Sequence, residues 1–502
     1  MFPYDSNHNH FHFEQSKSPF QSIMSKMPGI QQLKKLRPLG KLEQVSATCH
    51  HLGYFNNVGL SAHYHPPKSS SLAAFDLRKL VYAAVGDVIS KHPVLFAIPA
   101  NEDTPNAYFV SLPSIDLDRC IKFLTRSQPL NILDEGEDEE LDAILEDQHN
   151  TNFKNDYGTA PFWRLIILRD AEVDMNFTAS FIYHHAIGDG FSGLVFHNTF
   201  LDSLETVSST PITTLQSKQI ILPDDNVHIM PALGELHPLP INPNPPLHSA
   251  TNLNEWSGNS IRYPCKSRWI SFHISSGTSE SFFHKCKQKG LSVASVVSSV
   301  IATSLFHILP PNIEALTCII PVNLRPWLRL SSEATKTAMG SYFDATRVQF
   351  IPPSQHSENP SPADDVWFCA RQASKGIRYY LGNISPSGEP YTAVSVLETI
   401  PDISAIFTSI IGKSRDAAFE VTNVGRFSSA ATSDREADTC WQVGKVLLSR
   451  SSLVSGAAIT ISIATGGDES MTVGFSWQEG VVEDGLVREV SREVKKYFED
   501  DS

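Results

Sequence analysis

Apolar residues at Leu77, Leu80, Val81, Ala84, Val85, Val88 and Ile89 recur at helical spacing and predict a helix with one buried face. Asp76 is placed to cap it, and Lys91-His92-Pro93 ends it, because proline forbids continuation. Val94 to Ile98 reads as a buried strand, and Glu139 to Asn150 as another helix. Pro161-Phe162-Trp163-Arg164 opens a strand, Leu165 to Leu168. A charged turn separates it from a second strand, Asn176 to Tyr183, and the two read as a hairpin. The second half repeats the mixture. Arg268 to Ile274 and Leu316 to Val322 are strand-like, and Ser292 to Ile308 is a helix with Val293, Val296, Val297, Val300, Ile301, Leu305 and Ile308 on its apolar side. Ala458 to Ala464 and Met471 to Trp477 read as two strands joined by a Gly-Gly-Asp turn. A last helix, about 485–498, buries Leu486, Val490, Val494 and Tyr497.

Strands and helices in both halves predict an α/β (α+β) protein of two domains. Residues 1–35 are polar and His-rich, with His8, His10 and His12 alternating; a disordered tail outweighs a metal-binding reading there. Within it, Phe20 to Leu36 mixes apolar and basic residues and could lie on a membrane surface. Residues 36–205 form the first domain. Residues 206–260, where seven prolines crowd between Pro223 and Pro246 with little periodicity, read as the connection. Residues 261–502 form the second domain.

Composition narrows the function. A 502-residue chain with 41% hydrophobic and 19% charged residues builds an ordinary core. The net charge of -14 argues against a nucleic-acid partner, which needs a basic face. Part of the acid excess is the run Asp134 to Glu140, read as a solvated loop or helix start. Seven scattered cysteines have no zinc-knuckle spacing, so a reducing compartment and no metal are expected. There is no secretory apolar region and no apolar run of roughly 18 residues. A cytoplasmic monomer is expected, with peripheral contact to a membrane (endoplasmic reticulum or lipid droplet) left open.

The segment with chemistry in it is His184-His185-Ala186-Ile187-Gly188-Asp189-Gly190. A strand delivers two histidines to its end, where a neutral imidazole, His185, is placed to take a proton from a hydroxyl or amine. Gly188 and Gly190 are read as allowing the turn unusual backbone angles. Asp189, between glycines, reads as a brace that requires a cationic partner if buried. Taken alone the motif is as readily a structural turn, because Asp-Gly is a common turn dipeptide.

The match is longer than a turn. His184 to Gly190 resembles the HHxxxDG signature of the CoA-dependent acyltransferase superfamily, and Ser192 fits the form seen in peptide-synthetase condensation domains. Pro161-Phe162-Trp163 resembles the element that precedes the signature in wax ester synthases. A closer resemblance, over roughly 36–500, is to the fungal alcohol acetyltransferase family. It is carried by Leu39-Gly40-Lys41-Leu42-Glu43, Lys91-His92-Pro93, Pro321-Val322-Asn323-Leu324-Arg325-Pro326, Met339-Gly340-Ser341-Tyr342, Val421-Thr422-Asn423-Val424-Gly425 and Phe475-Ser476-Trp477-Gln478-Glu479-Gly480. The DFGWG motif of plant relatives is absent, so that part of the channel wall cannot be carried over.

The resemblance implies two chloramphenicol acetyltransferase-like domains facing across a substrate tunnel, and acetyl transfer from acetyl-CoA to an alcohol or amine without an acyl-enzyme. It implies that His185 is the base and that Asp189 is a structural carboxylate paired with an arginine. Arg325 is the first candidate partner and Arg164 the second. His184 is expected to pack, and Trp477 to fill the core. Thr422, Asn423, Gly340 and Tyr342 are candidates for the CoA or acyl channel. Two other readings remain at this level: a condensation-type enzyme fed by a carrier protein, and a non-catalytic binding protein of the same fold. The acceptor, the acyl length and the oxyanion donor are not legible.

Overall fold

The computed structural model describes residues 29–68, 76–127, 136–170, 175–211, 217–224, 228–243, 253–352, 362–428 and 439–500. His8, His10, His12 and the first part of the basic segment lie outside them. The described part of that segment runs from a 3-10 turn, Ile30–Gln32, into a strand, Lys34–Pro38, that pairs with Tyr108–Ser111.

Eleven strands, named in chain order, build the two main sheets: β1 (Val58–His65), β2 (Ile121–Thr125), β3 (Trp163–Arg169), β4 (Phe177–Tyr183), β5 (Ser267–Ile274), β6 (Leu316–Asn323), β7 (Phe343–Phe350), β8 (Phe419–Arg426), β9 (Gln442–Arg450), β10 (Ile459–Thr465) and β11 (Met471–Gln478). The helices that matter here are α1 (Lys41–Leu52), α2 (Leu77–Lys91), α3 (Glu139–Asn150), α4 (Gly190–Ser208), α5 (Val293–Ile308) and α6 (Asp484–Asp500). One sheet has five strands in the order β9-β1-β4-β3-β2; the other has six, β5-β11-β10-β8-β6-β7. Both mix parallel and antiparallel pairs.

The local forecasts map onto these elements. Asp76 caps α2, its carboxylate accepting from the Arg78 N–H. β3 and β4 pair antiparallel, as do β10 and β11. Asp138, in the acidic run, caps α3 and also takes a bidentate pair from Arg126, at 2.9 and 2.7 Å. Val94 to Ile98 differs: Pro93–Phe96 is a 3-10 turn and the strand is Ala97–Ala100, because Pro93 sets φ for a turn at its N1 position. In α6 the core face is Val487, Val490, Val494 and Phe498, while Leu486 and Tyr497 are only partly buried.

The lobes are not independent along the chain. β9 comes from the second half, yet it is the edge strand of the first sheet, with Arg450 opposite Val58 and Val58 opposite Tyr183. A second seam runs along the free edge of β5. Asp142, Glu146 and Asn150 lie one helical turn apart on α3, and they accept from the N–H groups of Ser271 (2.6 Å), Trp269 (2.9 Å) and Ser267 (2.8 Å). The match is geometric: a helix rises about 6 Å in four residues and a strand about 6.8 Å in two. A helix of one lobe thereby covers the open edge of the other lobe's sheet.

Asp142 also accepts from the Trp269 indole and the Ser271 hydroxyl, at 2.8 and 2.6 Å. Burial pushes its carboxyl up to about 7, against the pull of the Ser271 and Trp269 hydrogen bonds. A raised folded-state pKa means that the folded chain holds a proton which the unfolded chain, with an ordinary carboxyl near 3.9, has released. Asp142 is therefore expected to subtract stability as pH rises from about 4 to 7. Melting temperatures of the wild type and Asp142→Asn over that range test this: the difference between the two curves should vary with pH, and parallel curves would refute it.

Candidate active site

β4 ends at Tyr183, and the chain turns through His184–Gly188 into α4. The turn is closed by the Ile187 N–H on the His184 carbonyl at 3.0 Å, and His184 N–H still bonds to Phe162 O at 2.9 Å, extending the sheet by one residue. Neither Gly188 nor Gly190 has a positive φ, which corrects the expectation of unusual angles. The reason for glycine is close approach: a Cβ on Gly188 would sit 2.7 Å from Ser192 Cβ, and one on Gly190 2.7 Å from Val424 Cγ1.

Asp189 is the N-cap of α4, and its carboxylate is fully occupied. Oδ1 accepts from the Ser192 N–H (3.0 Å) and the Ser192 hydroxyl (3.0 Å). Oδ2 accepts from the Tyr342 N–H (3.0 Å). Arg325, from the other lobe, closes on both oxygens at 2.7 and 2.9 Å. Burial opposes ionisation of Asp189, but Arg325 and these donors outweigh it and hold its pKa below the ordinary carboxyl value. The Asp189 N–H donates in turn to Gly340 O at 3.1 Å.

Two expectations change here. Arg164 is not near Asp189; its guanidinium donates to the carbonyls of Asn152 and Thr151 at 3.2 and 2.8 Å and lies over the Phe153 ring. Gly340 and Tyr342 are not among the residues that line the cavity beside His185. Their backbone groups receive Asp189 instead, and the Tyr342 hydroxyl donates to Pro231 O at 3.0 Å. A motif does not distinguish backbone service from channel lining.

The His185 imidazole is half-buried between the rings of Phe343 and Phe55, with centroids at 5.3 and 5.7 Å. Its Nδ1–H donates to Gly188 O at 3.0 Å, which leaves Nε2 as the lone-pair nitrogen. Burial first, and then the Arg450 cation, lower its pKa below 6.5, with Asp189 opposing. His185 lies in the wall of a cavity of about 550 Å3 between the lobes. The same wall holds Asn423 and Thr422, the latter donating to Glu420 at 2.9 Å. A larger cavity, about 690 Å3, lies at the far ends of these strands against His63 and Thr178 and contains none of the motif residues.

His184 does more than pack. Its Nδ1 accepts the Ala186 N–H at 3.0 Å, so its proton is on Nε2, 3.3 Å from the Glu102 carboxylate. His50 repeats the arrangement. Its Nε2 accepts the Phe153 N–H at 3.2 Å and its Nδ1 meets Glu102 at 3.0 Å. Burial pushes His184 down to about 4, so the ring is neutral at pH 7. Glu102 is held well below the carboxyl range: its burial is outweighed by His50 and His184. These three residues offer ligand atoms close enough for a metal ion. A ligating imidazole, however, normally donates its other N–H to an acceptor, whereas here each outer nitrogen faces a backbone donor. The cluster suits two protons shared with one carboxylate. Glu102 and His50 carry no motif and were invisible in the sequence.

Two mixed-sheet lobes, a strand-end histidine in the cavity between them and an aspartate held by the far lobe's arginine define the chloramphenicol acetyltransferase-like acyltransferase class. A family model described as alcohol acetyltransferase matches residues 38–499, and the chain belongs to that family. It is similar to the probable alcohol acetyltransferase crmB of Aspergillus fumigatus, 57% identical over 460 residues that cover 92% of this chain and 98% of that one. Its fold is similar to that of TRI3 trichothecene 15-O-acetyltransferase from Fusarium sporotrichioides, with a TM-score of 0.66 at 13% identity over 94% of this chain and 99% of that one. The first condensation domain of the calcium-dependent antibiotic synthetase aligns with a TM-score of 0.59 at 11% identity, over 93% and 97%. The family and its relatives support acetyltransferase activity.

Arg325→Ala leaves the Asp189 carboxylate buried without its cation, at an expected cost of about 3–5 kcal/mol. Urea midpoints measure it, and a wild-type midpoint would refute the brace. Glu102→Gln turns an amide toward two ring N–H groups and should lower the melting temperature, whereas a chelator should not move that of the wild type. A chelator-induced drop would point to a bound metal instead.

Proposed function

We propose that the chain transfers an acetyl group from acetyl-CoA to the hydroxyl of a small, largely apolar alcohol, with His185 as general base and no acyl-enzyme. The observation that carries this reading is the fixed tautomer of His185 in the cavity wall. Gly188 O holds the Nδ1 proton, so Nε2 is available to the acceptor hydroxyl. As the hydroxyl oxygen attacks the thioester carbon, Nε2 takes its proton. When the C–S bond breaks, Nε2–H returns that proton to the CoA thiolate. Holding both substrates in one cavity supplies much of the rate through proximity.

Direct transfer suits the other cavity residues. Cys49 is the thiol in the lining, and burial pushes its pKa far above neutrality, so it is a poor nucleophile. The Thr422 hydroxyl is committed to Glu420. Apolar side chains such as Val45, Phe343 and Phe407 line much of the wall, which favours an apolar acceptor over a sugar or a polyol. A carrier-bound donor would be an outcome of the assay: release of free CoA thiol supports the reading, and activity confined to a carrier-bound thioester overturns it.

His185→Ala is expected to lower acetyl transfer by roughly 10²- to 10⁴-fold with little change in melting temperature, measured by thiol release with a panel of alcohols. Retained activity would sink the mechanism. Because burial and Arg450 favour the neutral ring, the base stays competent as pH falls below 6.5. The acid limb of the pH profile of kcat/KM should lie below the ordinary histidine value, and a limb at or above 6.5 would contradict this.

A further inference from the structure

Transfer from a thioester places negative charge on the carbonyl oxygen, and the cavity has to offer it a donor. Among the described residues, two arginines line the cavity, Arg325 and Arg450. Arg325 is committed: Nη1 and Nη2 hold Asp189, and Nε and Nη2 reach Ala338 O. Thr422 donates to Glu420, and the Ser46 hydroxyl donates to Leu42 O at 3.4 Å.

Arg450 is different. It is only 9% exposed, and its Nη1 is paired with Glu420. Its Nε is sealed from solvent, as in several other arginines of the chain, but its Nη2 also has no hydrogen-bond partner among the described residues. Leaving a cationic N–H unmet inside a protein costs free energy, so such a group calls for an explanation. Its position supplies one. Arg450 is the last residue of β9, opposite Val58, which is opposite Tyr183, so it closes the same end of the sheet from which the His184–Gly190 turn leaves. Its guanidinium lies 5.1 Å from the Phe55 ring centroid, and that ring's other neighbour is His185. Glu420 holds Nη1 and Nε is enclosed, which leaves Nη2 as the unpaired donor of a residue that lines the cavity.

Resting on the acetyl-transfer reading above, we propose that Arg450 is a catalytic residue: its guanidinium donates to the thioester carbonyl oxygen as the oxyanion forms. No proton is transferred by it. The electron pair of the C=O bond moves to oxygen while Arg450 hydrogen-bonds to it, and returns as the C–S bond breaks. After burial, the same cation is the next cause that lowers the His185 pKa, so one charge serves the base and the oxyanion. The rival neutral donors are the side-chain amides of Asn423 and Asn323, whose oxygens accept from the Gly425 N–H at 2.8 Å and the Arg325 N–H at 3.0 Å.

The experiment measures thiol release from acetyl-CoA by the full chain, with kcat and KM separated, for Arg450→Ala, Arg450→Lys and the double variant Arg450→Gln/Glu420→Gln. The double variant removes both charges, so no buried carboxylate is left alone and the fold is retained. Expected results are a fall in kcat of roughly 10²- to 10³-fold in Arg450→Ala and in the double variant, with KM values for acetyl-CoA and alcohol changed by only a few-fold. A smaller fall is expected in Arg450→Lys, and added guanidinium should rescue Arg450→Ala but not His185→Ala. Loss of Arg450 should also move the acid limb of the pH profile upward. If His185→Ala is inactive while Arg450→Ala keeps its kcat, the arginine assignment falls and the acetyl-transfer reading stands. An effect confined to KM, or a loss that guanidinium does not rescue, overturns the assignment too. If the wild type releases no thiol with acetyl-CoA, the reading falls and takes the assignment with it.

Discussion

The bidentate pair between Asp189 and Arg325 is the constraint on which the rest of the site depends. Both side chains are buried, at 7% and 3% exposure, and they come from different lobes. A buried carboxylate without a cation would protonate or unfold its surroundings, so the pair demands that the lobes stay in register. The same carboxylate caps α4, so the cation from one lobe steadies the first turn of a helix in the other. The His185 turn is the segment between that cap and the end of β4. Its aim is therefore set by a contact that no local sequence rule could supply, and the Ser341 hydroxyl adds a second far-lobe tie by donating to the His185 carbonyl at 2.7 Å.

Two further seams make that register hard to change. β9 gives the first sheet an edge strand from the second half of the chain, and α3 covers the edge of β5 with one acceptor per strand repeat. Directional hydrogen bonds at fixed spacing resist sliding more than an apolar face of equal area would. The cavity lies between lobes that these seams hold together. Arg450 stands at the junction of these features, because the exchanged strand is also the one that brings it to the cavity.

The two adjacent histidines differ in tautomer and surroundings through their hydrogen-bond partners. His185 gives its Nδ1 proton to a carbonyl and keeps a lone pair facing the cavity. His184 receives a backbone N–H on Nδ1 and turns its Nε2 proton inward to Glu102. One lines the cavity and the other is enclosed in the core beside Glu102. Both are driven toward the neutral form by burial.

By itself the sequence determined the elements whose signal is local. Periodicity placed α2, α3, α5 and the β3–β4 and β10–β11 hairpins, and the spacing in His184 to Gly190 marked the turn, the histidine that lines the cavity and the brace. The family resemblance put Arg325 first among the partners for Asp189. Tertiary structure decided everything that depends on residues far apart in the chain. Arg164 and Arg325 are equally cationic, and the meeting of the lobes is what seats Arg325 on Asp189. Gly340 and Tyr342 sit beside the motif through backbone groups, which side-chain patterns do not report. Glu102, His50, Glu420 and Arg450 lie in ordinary strand, helix and loop contexts, with burial and partners that no short window encodes. The physical reason is range: propensity and alternation act over a few residues, whereas a buried charge is resolved only by whichever element folds against it.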